Sequence, residues 1–300
     1  MKVGIVGLGL MGTGFAKNLI RKEYEVFGYD TVKEKRDALR LLGGVPCESL
    51  GELAEKADVV LILVFNADNV RSVIFGNDEE FPKHLAEGKT VMFACSCGAE
   101  VVREVAPALQ NRGIRVLDTP LMGDCFDAED GSIRMILAAK AGDYENLEGL
   151  FSDIAGDTFR VSSETGKGQE AKSCLQALFS LTFEMGFEIT NLVKATGLDI
   201  EEMRRMFRQS PSSSMLFHIS EDKVLSETYT GTKNPLSILD KDITIALGLA
   251  KEYGLKLNAC EGTKKTFDEA MERYPKEDIW AASKVVANHN EELVSTEVFK

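Results

Sequence analysis

The first half of the chain alternates short β-rich runs with helical patterns, and few architectures accept that alternation. The β-rich runs are Lys2 to Gly7, Glu25 to Tyr29, Asp58 to Val64, Thr90 to Ala94 and Ile114 to Asp118. Between them, Met11 to Arg21, Lys33 to Leu42 and Ala99 to Arg112 carry helical periodicity, the last stopped by Gly113. A strand that reaches a parallel neighbour through a helix does so by a right-handed crossover, so the expected unit is α/β, a doubly wound and largely parallel sheet covered by helices. Ile133 to Ala138 and Thr158 to Val161 read as further strands of the same sheet.

After Gly168 the period changes. Leu175, Leu178, Thr182, Met185, Ile189 and Leu192 recur at three- and four-residue steps, which predicts one long, largely buried helix ending at Thr196-Gly197. Asp199 with Glu202 three residues on marks the start of the next helix, and Ile238 to Tyr253 and Ala259 to Met271 read as two more. The pattern places a domain change near Ser163 to Gly166, with an α/β domain over 1–164 and an all-α domain over 165–300.

A chain of 300 residues buries most of the apolar surface that its unfolded form exposes, so no disulfide or metal staple is needed. The formal net charge of −13, with cations dispersed among a larger number of acids, argues against nucleic acid as a partner. With 44% hydrophobic and 28% charged residues the composition is that of a globular chain, and no membrane partner is expected. The glycines at 4, 7, 9 and 12 make the N-terminal apolar run a strand and turn rather than a secretion signal. The six cysteines are scattered, which fits reduced thiols and a cytoplasmic setting. Cys95-Ser96-Cys97 offers two thiols, but His84, His218 and His289 stand isolated in sequence, so no metal site is expected.

Gly7-Leu8-Gly9-Leu10-Met11-Gly12 fits G-x-G-x-x-G, and its context sharpens a pattern that alone is weak: it follows the apolar strand Val3 to Val6 and opens a helix. Gly7 permits the turn, Gly9 lets the backbone approach a pyrophosphate, and Gly12 lets helix and strand pack closely. Asp30 ends the second strand, where a carboxylate accepts the ribose hydroxyls and repels a 2′-phosphate. The expected cofactor is therefore NAD rather than NADP, held around Gly7, Gly9, Leu10, Met11, Gly12 and Asp30.

Beyond this fingerprint the chain resembles the β-hydroxyacid dehydrogenase family, relatives of 3-hydroxyisobutyrate dehydrogenase and 6-phosphogluconate dehydrogenase. Val6 to Gly12 followed by Asn18-Leu19 resembles the family's N-terminal signature. Asp118-Thr119-Pro120-Leu121-Met122-Gly123-Asp124 resembles its substrate segment D-A-P-V-S-G-G, with Gly131 at the downstream glycine. Gly166-Lys167-Gly168-Gln169-Glu170-Ala171-Lys172 matches its catalytic G-x-G-x-x-x-K, and Lys241-Asp242-Ile243 a later K-D-L. With Asp278-Ile279-Trp280-Ala281, these matches run in order along nearly the whole chain. The resemblance implies a Rossmann domain, a helical second domain with a cleft between the two, Val64, Ser96 and Lys241 as further residues beside the cofactor, a homodimer or homotetramer, and a substrate that is a small β-hydroxy acid or its semialdehyde. The chain departs from the pattern at Met122 (usually serine), Asp124 (usually glycine), Gln176 (usually asparagine) and Phe93-Ala94-Cys95-Ser96, which keeps one hydroxyl of D-x-S-T.

Hydride transfer belongs to the nicotinamide, so the protein must orient the substrate carbon and manage one proton. Lys172 is the expected acid/base, because partial burial near the start of the long helix would disfavour its ammonium and suit it to proton transfer near neutral pH. Gln176, one turn on, is expected to hydrogen-bond the substrate hydroxyl or a neighbouring polar group. Lys241 either looks inward to an anionic substrate or pairs with Asp240 or Asp242. Gly123 offers a backbone N–H, Met122 no comparable donor, and Asp124 would repel a carboxylate if it points inward. Arg134 either neutralises Asp124 or contacts the substrate. Two alternatives stand beside the dehydrogenase: an imine-type or unusual aldehyde reductase, and a dinucleotide-binding sensor without turnover.

Overall fold

A computed structural model describes residues 1–76 and 80–287, so His289 lies outside the described residues. The chain divides into two compact units, Met1–Lys172 and Ser173 onward.

The first unit opens with β1 (Lys2–Val6), α1 (Leu10–Arg21), β2 (Glu25–Tyr29), α2 (Lys33–Leu41) and β3 (Val45–Pro46). It continues through α3 (Leu50–Lys56), β4 (Val59–Ile62), α4 (Ala67–Phe75), α5 (Glu80–His84), β5 (Thr90–Phe93), α6 (Ala99–Gln110) and β6 (Arg115–Asp118). Then come β7 (Leu121–Met122), α7 (Cys125–Asp130), β8 (Ile133–Ala138), α8 (Ala141–Tyr144), α9 (Glu148–Ile154) and β9 (Ala155–Ser162). The strand order is β3-β2-β1-β4-β5-β6-β8-β7, with β9 on β8. Strands β3 to β6 pair in parallel, β8 runs antiparallel to β6 and β7, and β9 is parallel to β8. The order reverses between β1 and β4, and the carboxyl ends of strands at such a switch point form the crevice where α/β sheets bind ligands. Both sheet faces are covered. Val60, Ile62, Val91 and Phe93 pack with α3 to α6 on one side, and Ile5, Phe15, Leu61, Met92 and Met135 pack on the other. The central strands therefore read as unbroken apolar runs, as strands buried on both faces do.

The two-residue strands β3 and β7 and the helices α3, α4, α5 and α7 carry too short a pattern to be read from periodicity. Three of these helices announce themselves by side-chain caps instead: Ser49 accepts from Glu52 N, Asn66 from Asn69 N, and Asp124 from Phe126 N and Asp127 N.

Helix α10 (Lys167–Thr196) begins in the first unit and continues into the second, which adds α11 (Ile200–Gln209), α12 (Met215–Leu225), α13 (Leu236–Glu252) and α14 (Asn258–Arg273). Asp199 caps α11 through Glu202 N, as its spacing predicts. The face that α10 buries is not the expected one. Ser180, Phe183, Phe187 and Thr190 are buried, whereas Leu178, Met185 and Leu192 are 59%, 37% and 57% exposed. Both stripes are apolar, and the aromatic one wins the interior because Phe183 packs edge-on against Trp280 at 5.4 Å and beside Phe187 at 6.5 Å. Asp278, beside that tryptophan, accepts Thr232 N at 2.6 Å and Thr232 Oγ1 at 2.8 Å, so the Asp278 to Ala281 segment ties down the loop before α13.

Candidate active site

The turn between β1 and α1 explains its glycines one by one. Gly7 has φ +97°, and a Cβ there would lie 2.6 Å from Leu63 O; one on Gly12 would lie 1.9 Å from Gly7 O. These two glycines are required by the fold itself. A Cβ on Gly9 would meet nothing within 4 Å. That open space, and an α1 N-terminus with no side-chain cap and no acid in its first turn, fit an anionic group approaching the backbone. Leu10 is exposed and Met11 and Val64 are half-buried near this turn.

Asp30 follows β2 and is nearly buried. Its Oδ2 accepts Leu8 N at 2.8 Å and its Oδ1 accepts Val32 N at 2.9 Å, while Lys35 Nζ stands 3.4 Å away. The carboxylate thus braces the glycine turn against the second strand; Oδ2 is taken by Leu8 N and Lys35 Nζ, and Oδ1 keeps a further lone pair for a ribose hydroxyl.

On the opposite flank of the sheet, Met122 closes β7 and pairs with Arg134 across to β8. Gly123 has φ +133°, and a Cβ there would lie 2.4 Å from Asp127 Oδ2. Asp124 forms a capping box with Asp127: it accepts Phe126 N at 2.8 Å and Asp127 N at 3.2 Å, and its own N–H donates to Asp127 Oδ2 at 3.0 Å. Of the two roles open to Arg134 from sequence, neutralising Asp124 is not the one it takes. Asp124 is exposed at a helix start, and Arg134 is exposed without an ion pair to it. Gly131 ends α7 in the left-handed conformation at φ +78°.

The G-x-G-x-x-x-K segment has the most connected geometry in the first unit. Gly166 takes φ +94° beside the Arg103 side chain. A Cβ on Gly168 would lie 2.7 Å from Asp118 O and 2.9 Å from Asp118 Oδ2, so only glycine lets the helix start against the end of β6. Gln169 then binds in four directions. Its backbone N–H donates to Asp118 Oδ2 at 3.1 Å, its Nε2 donates to Asp118 Oδ1 at 3.1 Å and Cys95 O at 3.0 Å, and its Oε1 accepts Cys97 N at 3.1 Å and Gly98 N at 3.2 Å. Glu170, paired with Arg103 and with Lys167 at 2.9 Å, anchors the same turn to α6. Lys172, three residues after Gln169, is buried. Ser96, half-buried between Cys95 and Cys97, lies in the loop that Gln169 holds.

In the second unit Gln176 is buried, and its Nε2 donates to Asp242 Oδ2. Gln176 Oε1 and Asp242 Oδ1 have no hydrogen-bond partner, and Lys241 Nζ is 3.3 Å from Asp242 Oδ1. Of the alternatives open from sequence, Lys241 pairs with Asp242, while Asp240 pairs with Lys264 at 3.0 Å. Each unit therefore gathers its own set of predicted residues: the glycine turn with Asp30, and Ser96 with the Lys172 helix, in the first; Gln176 with Lys241 in the second. The partners missed from sequence are Asp118, Gln169 and Asp242. All three stand inside quoted motifs; Asp242 was weighed there only as a partner of Lys241 and not of Gln176, and neither Asp118 nor Gln169 leaves a periodic signal.

No disulfide joins any of the six cysteines, and Cys174 is exposed. Among the described residues no group of three His, Cys, Asp or Glu side chains is disposed to hold a metal, and no helix is long and apolar enough to cross a membrane.

Comparison with known proteins agrees with this geometry. Residues 2–163 match the model of the NAD binding domain of 6-phosphogluconate dehydrogenase, and residues 166–286 match that of the NAD-binding region of NADP-dependent 3-hydroxyisobutyrate dehydrogenase. L-threonate dehydrogenase of Escherichia coli O6:H1 is 29% identical over 286 residues, 94% of each chain. 2-Hydroxy-3-oxopropionate reductase of Escherichia coli K12 is 27% identical over 258 residues, 86% of this chain and 87% of the relative. The crystal structure of 3-hydroxyisobutyrate dehydrogenase from Salmonella typhimurium superposes with a TM-score of 0.84 at 25% identity, covering 95% of this chain and 99% of that one. The chain belongs to the β-hydroxyacid dehydrogenase family, nicotinamide-dependent oxidoreductases that move a hydride to or from a CH–OH carbon.

Proposed function

We propose that the chain is a NAD-preferring dehydrogenase or reductase of a small polar hydroxy acid or its semialdehyde, with Lys172 as the general acid/base. The observation that carries this is the buried Lys172, set on a helix whose first turn is fastened to the loop bearing Ser96. The nicotinamide cofactor, when bound, supplies the hydride chemistry. The chain's own residues do the rest. Gly7, Gly9 and Gly12 shape the turn for the pyrophosphate, Asp30 favours ribose hydroxyls over a 2′-phosphate, and Lys172 gives or takes the proton on the substrate oxygen. Gln176 Oε1 stands as an acceptor for a substrate hydroxyl because Asp242 already holds its Nε2.

The substrate class follows the curated relatives, which act on L-threonate and 2-hydroxy-3-oxopropionate. A spectrophotometric screen of L-threonate, 2-hydroxy-3-oxopropionate, 3-hydroxyisobutyrate and cyclic imines with NAD(H) and NADP(H) tests the proposal. Turnover of a hydroxy acid that Lys172→Ala abolishes, with NADH binding kept, supports it. Full activity in Lys172→Ala refutes the acid/base role, and turnover of imines alone favours the imine reductase. We further infer a cytoplasmic homodimer or homotetramer, on cysteines that no disulfide joins and on the exposed Leu178, Met185 and Leu192, seven residues apart along α10. Light scattering is the check, and a monomer at micromolar concentration counts against it.

A further inference from the structure

Helices in this chain are commonly capped by a local side chain, as Ser49, Asn66, Asp199 and Ser214 do for α3, α4, α11 and α12. The start of α10 is served differently. Its acceptor is Asp118, about fifty residues earlier at the end of β6 and fully buried. The Gln169 amide donates to that carboxylate at 3.1 Å, and the backbone amides of Gly166 and Gly168 favour its charged form. The positive end of a 30-residue helix thus meets one buried carboxylate. Burial still pushes the Asp118 carboxyl up to about 6 against the pull of those amides, so the arrangement costs more than a local cap would. A device needed only to stop a helix from fraying has no use for that cost.

The Gln169 side chain shows what the arrangement accomplishes. Its amide spends its donors on Asp118 Oδ1 and Cys95 O and its acceptor on two successive N–H groups, those of Cys97 and Gly98, so it is saturated and cannot rotate without losing several bonds at once. Those partners bracket Ser96. Lys172 lies three residues further along the helix, on the same side as Gln169. A single side chain therefore joins the loop after β5 to the turn that carries the lysine.

We propose that Gln169 and Asp118 are positioning residues for the reaction: they fix Lys172 relative to the Cys95–Gly98 loop, so that the proton-transfer group keeps one setting through turnover. This rests on the assignment of Lys172 as the acid/base. A displacement of about 1 Å at such a group lowers turnover up to about 100-fold with no contact to substrate removed.

The test compares Gln169→Met, Asp118→Asn and Lys172→Ala with the wild type, using the hydroxy acid of highest kcat/KM from the screen above. Gln169→Met keeps the length and removes every donor and acceptor. It should lower kcat by about 10- to 100-fold, leave the substrate KM and the NADH Kd within about threefold, and speed hydrogen exchange at the Cys97 and Gly98 amides while the sheet strands stay protected. Asp118→Asn should move kcat in the same direction, since its amide offers one acceptor oxygen where the Gln169 backbone and side chain each use one of two. Unchanged kcat in folded Gln169→Met overturns the proposal. So does a loss of kcat matched by equal losses of NADH affinity and strand protection, which marks a merely structural role. Should Gln169→Met fail to fold, Gln169→Glu decides. Its protonated form keeps the acceptor and restores one of the two side-chain donors, so activity regained as pH falls supports positioning, and a pH profile parallel to the wild type overturns it. Wild-type turnover in Lys172→Ala would instead strike the acid/base assignment itself, whatever the Gln169 variants do.

Discussion

Replacing Gly9 by alanine separates what the glycine turn does for the fold from what it does for a ligand. The backbone at Gly9 has φ −73° and ψ −162°, which alanine adopts readily, and the added Cβ meets nothing within 4 Å. Losing glycine at an N-cap and gaining a stiffer unfolded chain roughly offset, so stability should stay within about 1 kcal/mol of wild type. The methyl group does occupy the space through which a pyrophosphate would approach the amides of α1. Each charge-assisted hydrogen bond to such an anion is worth about 1.5–3 kcal/mol, so displacing the phosphate from one or two of them costs about 2–4 kcal/mol. That is roughly 30- to 700-fold in the NADH Kd. Fluorescence titration with NADH, paired with thermal melting, reads both sides. Gly12→Ala is the contrasting control, since its Cβ would sit 1.9 Å from Gly7 O and the turn itself must break. A folded Gly9→Ala that binds NADH within threefold of wild type would refute the placement of the pyrophosphate at this turn, and a melting temperature as low as that of Gly12→Ala would refute the claim that the space is open.

Three further outcomes follow from the same geometry. Asp30→Ser should narrow the preference for NADH over NADPH, measured as the ratio of their Kd values, while a wild type that prefers NADPH sinks the Asp30 assignment. Glu184, buried with Oε1 taking Thr266 Oγ1 at 2.5 Å and Oε2 without a partner, has its carboxyl pushed by burial from 4.5 up to about 7. A raised carboxyl favours the protonated folded state, so about 3 kcal/mol of stability present below pH 4.5 is lost as pH rises through 7. Glu184→Gln should abolish that decline in urea midpoints taken between pH 5 and 8, and an equal slope in both proteins contradicts it. Met122→Ser should raise kcat/KM toward simple hydroxy acids by supplying a hydroxyl, whereas Asp124→Gly should chiefly cost a few tenths of a kcal/mol of cap in thermal melts; a larger substrate effect from Asp124→Gly reverses the two roles.

The sheet was legible because its strands are buried on both faces. Val59 to Ile62 and Thr90 to Phe93 are unbroken apolar runs between turn residues, and only a parallel sheet under helices accepts several of these in succession. The face of α10 was not legible for the opposite reason. A long helix with apolar residues on both sides offers two periodic stripes, and sequence spacing cannot weigh them. The choice falls to tertiary partners: Trp280, nearly a hundred residues after Phe183, makes the aromatic stripe the inner one and leaves Leu178, Met185 and Leu192 outside. Within the site, the glycines could be read singly because each answers a local demand of the backbone. Asp118 and Gln169 could not, since a carboxylate that caps a helix about fifty residues away leaves no periodic trace.

The capping role of Asp124 narrows what sets this chain apart from the pattern it resembles. From sequence, the exchanges at 122 and 124 both fall in the substrate segment and carry equal weight. In the structure they differ in kind. The Asp124 carboxylate is spent on Phe126 N and Asp127 N, where its charge is matched by the start of α7. Such a carboxylate is held in place by its own backbone amides and is exposed to solvent, so it repels an anionic substrate less than a buried, unpaired one would. Met122 has no such local task. It stands half-buried at the end of β7, followed by a glycine whose left-handed φ no other residue adopts comfortably. On the proposed function, the loss of a hydroxyl donor at 122 is therefore the exchange expected to bear on substrate. On the same reading, the unpartnered buried acceptor Gln176 Oε1 favours a substrate that donates a hydrogen bond. A polyhydroxy acid, with hydroxyls to spare, is then expected to be turned over with a higher kcat/KM than a simple 3-hydroxy carboxylate with a single hydroxyl, and the reverse order in the substrate screen would refute this.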